Sequence, residues 1–174
     1  MTRPSSVALP IAWVALRILV VLNWVFCACI LALLIYTFID EPWTMKALGV
    51  AGFSDAQQVM WSMRGVAALG VAAGPLTYLI LKRLLAMIRT VRVGDPFVAA
   101  NAYRLNAVAW FLLALQLVGL VISIIAKMVS TSAHPLHVDA GFSPGGWLAV
   151  ILTFVLARVF AEGTLMREDL EGTV

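Results

Sequence analysis

The residues in this chain with the chemistry to act are few and widely spaced. Arg158 and Glu162 sit four apart in an otherwise apolar run, so on a helix they share a face and can pair. A charge inside a membrane is expensive and by default marks a functional site, although an arginine near a helix end also reaches the headgroups and anchors the helix. His134-Pro-Leu-His137-x-Asp139 supplies three metal-ligand types. It has no second cluster, and Pro135 breaks the helical face that would align the donors, so no metal is expected. Cys27 and Cys29 point to different faces of a helix, cannot bridge locally and read as small apolar filler. Asn23 and Gln116 are amides in apolar runs, expected to hydrogen-bond between helices. Gly70-x-x-x-Gly74 allows two helices to approach closely, and Pro75 directly after it predicts a kink. No catalytic constellation is evident, so neither an enzyme activity nor a cofactor is expected.

These residues need elements to hold them, and the composition says which. With 63% hydrophobic and 12% charged residues and a mean hydropathy of +0.99, the chain is too apolar for a soluble domain. Soluble domains run at about 45–50% apolar and about 25% charged. The same figures exclude intrinsic disorder, and two cysteines exclude a disulfide-stapled miniprotein. A bilayer core of about 30 Å takes about 20 apolar residues of helix. Four runs qualify, at about 18–39, 65–85, 107–126 and 147–165. The expected fold is all-α and integral to the membrane, a four-transmembrane-helix bundle forming a single domain over 1–174. The first run is longer than the roughly 7–15 residues of a signal-peptide core, and no small-x-small site precedes Asp40, so it is expected to be retained.

Orientation follows from the placement of lysine and arginine beside the spans. Of twelve such residues, Arg3, Arg17, Lys82, Arg83, Arg89, Arg92, Arg104, Arg158 and Arg167 fall on one side. Lys46, Arg64 and Lys127 fall on the other, balanced by Asp40, Glu41, Asp55 and Asp139. Both termini are therefore expected in the cytoplasm, with the loops near Glu41–Ser54 and Ser130–Gly146 outside. Trp43, Trp61 and Trp147 would anchor the outer boundary, Trp13 and Trp110 the inner one. The same bias accounts for the basic stretch from Lys82 to Arg104. No helix-turn-helix fits there, and direct nucleic acid binding is not expected. At the loop ends, Ser54-x-x-Gln57 reads as a capping box. Gly94-Asp95-Pro96 reads as a turn, an N-cap and a first helical proline, and Ser143-Pro144 as the same device before the fourth span.

Two stretches carry a family resemblance. Val93-Gly94-Asp95-Pro96-Phe97 with Asn101-Ala-Tyr-Arg104-Leu105 resembles the central cytoplasmic signature of a small bacterial four-span family, catalogued as domain of unknown function 2975. Arg158-Val-Phe-Ala-Glu162-Gly163-x-Leu165, with the terminal Glu168-Asp169-Leu170-Glu-Gly-Thr-Val174, resembles the tail of that family. The spans between match mainly in length and hydrophobicity. The resemblance implies a partner of small Cro/CI-type helix-turn-helix regulators, holding or releasing such a regulator at the bacterial inner membrane. The residues it offers for partner binding are Gly94, Asp95, Pro96, Phe97, Asn101, Arg104, Leu105, Arg158, Glu162, Gly163, Leu165, Asp169 and Leu170. Helix packing is assigned to Gly70, Gly74, Asn23 and Gln116. Arg158 is expected to be turned by Glu162 toward Asp95 and Asn101, and the short tail to bind a partner or fold back on the segment from Pro96 to Leu105. The competing reading is a small transporter or channel, with Gln116, Asn23, Arg158 and Pro75 lining its path. Membrane lipid is a partner in either case.

Overall fold

The computed structural model describes residues 8–47, 49, 55–129 and 143–171. They form α1 (Ala8–Ile39), α2 (Glu41–Ala47), α3 (Ala56–Val93), α4 (Ala99–Val129) and α5 (Pro144–Glu171), with no strand among the described residues. The four long helices are each long and apolar enough to cross a membrane. The histidine pair and Asp139, and most of the loop from Ser130 to Gly146, lie outside the described residues, as does Ser54 of the expected capping box.

The helices overrun the apolar runs that announced them. α3 has 38 residues, about 57 Å at about 1.5 Å per residue, against a hydrocarbon core of about 30 Å. It is therefore longer than the core is thick, and Lys82, Arg83, Arg89 and Arg92 ride on a continuous helix rather than in a loop. Only 94–98 separates α3 from α4. Asp95-Pro96 does not open α4 as expected; the helix starts at Ala99. Gly94 ends α3 in the left-handed region, at φ 93°. Its N–H reaches the Val91 carbonyl, and the Asp95 N–H reaches that of Thr90, both at 3.1 Å. This crossed pair closes the last turn of a helix, and a proline after it stops further winding. At the other end of α3 the cap position is Asp55, with no side-chain cap bond. Ser143 caps α5 as expected, its Oγ accepting from the Gly146 N–H at 3.2 Å with Pro144 as the first helical residue. The short α2 has no apolar signature. Asp40 caps it, accepting from the Trp43 N–H at 3.0 Å.

Extensive packing joins α1 to α3, α3 to α4 and α4 to α5. Among the described residues the long helices of the bundle therefore pack mainly as consecutive pairs, in a row. In lipid no hydrophobic force drives helices to close into a ring, so association rests on local close packing. The α1–α3 seam shows this. A Cβ on Gly74 would overlap the Cys27 sulfur, and the Asn23 amide donates to the Gly74 carbonyl at 3.2 Å. Gly70 is less demanding: its Cβ would meet Ile30 Cδ1 at an ordinary 3.8 Å. On the α4–α5 seam the Gln116 amide lies over Gly146, where a Cβ would overlap it, and Trp110 meets Phe154 edge-on at 5.4 Å.

Candidate functional site

The two stretches that carry the resemblance lie far apart in sequence, and the turn between α3 and α4 brings them together with the end of α5. Phe97 leaves this turn and lays its ring on α5. It sits 5.3 Å from the Phe160 ring, and Gly163 leaves the space it needs, since a Cβ there would come within 3.0 Å of Phe97 Cδ1. Asp95 pairs with Arg167 one turn further along α5. α5 thus continues as helix past the turn and touches it through Arg167.

Asn101 holds the turn from inside. It is fully enclosed, with 0% exposure, and its amide donates to Thr90 Oγ1 at 2.6 Å and to the Pro96 carbonyl at 2.9 Å. Its carbonyl accepts from Arg104 Nη1 at 2.8 Å. One side chain therefore ties the end of α3, the turn and the first turns of α4, and satisfies a buried amide that would otherwise be costly. Leu105 is buried below it. These two residues shape the site and do not reach its surface.

Arg158 does not turn toward Asp95 and Asn101. It pairs with Glu162 on its own helix and is 77% exposed. The geometric reason is length: α5 runs on to Glu171, which puts Arg167, not Arg158, level with Asp95. Leu165 is exposed at the same end of α5, Asp169 has polar partners of its own, and Leu170 lies on the last described turn. The outward surface also holds residues that motif spacing did not single out. Val93 is 86% exposed, Tyr103 76%, and Met166 is open as well, beside the expected Phe97. Val93 and Tyr103 were within the quoted blocks, and their signal was an apolar or aromatic residue on a helix end carrying Arg89, Arg92 and Arg104.

A second polar cluster sits at the opposite end of α3. Arg64 is buried, at 5% exposure. Its Nη2 donates to the Thr37 carbonyl at 2.5 Å and pairs with Glu41 at 3.1 Å, while Nε donates to Thr37 Oγ1 at 3.2 Å. The guanidinium stacks 4.2 Å from the Phe38 ring and 5.0 Å from that of Trp61. In the sequence Arg64 is only an outer flanking charge, because its hydrogen-bonding partners lie more than twenty residues away. Asn23 and Gln116, the two intramembrane amides, fall in different seams, the first between α1 and α3 and the second between α4 and α5. Among the described residues no group of three or more metal-ligating side chains occurs.

Comparison of the chain with family models, curated proteins and solved structures finds no match, so the resemblance to domain of unknown function 2975 rests on the two quoted blocks.

Proposed function

We propose that this chain is a bacterial inner-membrane protein with cytoplasmic termini that captures and releases a small Cro/CI-type helix-turn-helix regulator. The docking surface is the turn at 94–98 together with the end of α5. The observation that supports this most is the contact of Phe97 with Gly163 and Phe160. Two blocks quoted for one family resemblance meet side chain to side chain, and the Lys/Arg bias independently assigns that end to the cytoplasm. Exposed apolar residues beside basic ones suit a protein partner: the apolar groups supply contact area, the charges steer the encounter. The reading involves no enzymatic step, no cofactor and no direct contact with nucleic acid. Transport has less support, because the amides it would place on one path lie in separate helix seams.

The Asp95–Arg167 pair supplies the test. Asp95→Arg and Arg167→Asp each place like charges in contact, which should free the end of α5 and reduce co-purification of the regulator from native membranes. The double exchange restores opposite charges and should restore capture. Equal capture by all four proteins at matched membrane levels would remove the end of α5 from the docking surface.

A further inference from the structure

The contacts between α4 and α5 fix how far one is shifted along the other. Trp110 meets Phe154, and the Gln116 side chain lies over Gly146. Gln116 is at the middle of the apolar run 107–126, and Lys127 ends that run. From Gln116 to Lys127 the axis of α4 covers about 16 Å, at about 1.5 Å per residue. α5 therefore starts at the middle of the apolar length of α4. Trp147 sits at that depth too, not at the boundary where the sequence reading expects it. Further along, Ala109 on α4 and Val150 on α5 are buried, so the two helices close below this point.

A chain that enters a helix at mid-depth presents backbone that hydrocarbon cannot serve. Irregular backbone is tolerated there only where protein buries it or water reaches it. Ser143, Pro144 and Gly145 are exposed, so protein does not bury them. Ser143 accepts from the Gly146 and Trp147 N–H groups, and proline has no N–H to satisfy. The Gly145 N–H is left to be met from outside the helix.

The stretch of α4 beyond this start is divided by face. Gln116 marks the face turned to α5, and Ser123 and Lys127 repeat it at i+7 and i+11. The large apolar residues of the same stretch, Leu117, Val121, Ile124 and Met128, form a separate exposed row. Polar groups thus continue from Gln116 to the helix end on the side that α5 leaves free, and the lipid-facing row lies apart from them.

We propose that water fills an inlet between the start of α5 and the Gln116–Lys127 face of α4. The inlet is open at the end of the molecule that carries Lys127 and α2, and it is closed at Gln116. It hydrates Ser143 and Gly145 and brings small polar solutes to mid-depth from one side only. The inlet does not depend on the regulator reading and is tested without a regulator.

The test is alkylation of single introduced thiols by a membrane-impermeant maleimide in intact cells and in opened membranes. Gly145→Cys suits it, because a Cβ there meets nothing within 4 Å. The wild type is the baseline: Cys29 is exposed on α1, about 12 Å from Thr37 at about 1.5 Å per residue, and faces hydrocarbon. Gly145→Cys should react from the same side as Trp43→Cys, about tenfold or more faster than the wild type, since alkylation needs a thiolate that apolar surroundings suppress. Leu117→Cys, next to Gln116 on the lipid-facing row, should stay at the wild-type level. Gly145→Cys reacting no faster than the wild type, reacting only from the side opposite to Trp43→Cys, or being matched by Leu117→Cys would overturn the inlet.

Discussion

Arg64 shows what a single side chain can contribute in a fold with so little buried surface. Its guanidinium satisfies the Thr37 carbonyl and hydroxyl, neutralises Glu41 and stacks on two rings, joining the end of α1 and the start of α2 to α3. Hydrogen bonds to a charged group contribute about 1.5–3 kcal/mol each when their loss strands a buried partner. Arg64→Leu should therefore lower the thermal midpoint in detergent markedly. Arg64→Lys should recover only part of it, since a single ammonium cannot present a planar fork to Thr37 and Glu41 together. A lysine variant as stable as the wild type would reduce the role to charge alone. None of this was legible in the sequence, where Arg64 is one cation beside an apolar run. Arg158 and Glu162 were legible as an i,i+4 pair, because that geometry is set by the helix itself. The partner of Asp95 was not, because it depends on how far α5 extends.

Local chemistry at element ends was readable in one place and misleading in another, for a physical reason. Ser143-Pro144 starts α5 as its spacing suggests, with the serine oxygen accepting from the Gly146 N–H. Gly94-Asp95-Pro96 has the same look, yet its backbone N–H groups finish α3 and its carboxylate goes to Arg167. The four spans were visible because hydropathy reports directly on them. The extension of α3 beyond its apolar run at both ends was not, since polar helix carries no hydropathy signal. Gly70 and Gly74 looked equivalent as a small-residue pair, and the structure separates them. Gly74→Ala should strongly lower stability in detergent, because its Cβ would overlap the Cys27 sulfur. Gly70→Ala should be neutral or stabilising by up to about 1 kcal/mol, the gain in helix propensity. Cys27→Ala added to Gly74→Ala should recover part of the loss. Equal behaviour of the two single alanine variants would mean that the α1–α3 seam does not cross at Gly74.

At the scale of the whole molecule, four long helices in a row leave most of the apolar surface of α1 and of the outer face of α5 uncovered by protein. Lipid is the natural cover, and stability should depend on it more than in a closed bundle. The proposed orientation, which rests on nine of twelve basic residues, would put Val93 in the cytoplasm and Trp43 outside. In intact cells, a membrane-impermeant maleimide should label Trp43→Cys and leave Val93→Cys unlabelled until the membrane is opened; the reverse pattern would invert the topology. Fold class and span number were legible because a membrane constrains them so strongly. The row-like packing and the meeting of Phe97 with Gly163 were not, because both depend on contacts between helices rather than on any one segment.

The most direct measurement of the docking role places a photo-crosslinking residue, p-benzoylphenylalanine, at Val93 in the native cell. That position is 86% exposed, on the last turn of α3. The account predicts a cross-link to one small helix-turn-helix protein, weakened by Asp95→Arg and restored when Arg167→Asp is added. Cross-links to lipid alone, or to a helix-turn-helix protein with yields indifferent to the Asp95–Arg167 pair, would contradict it.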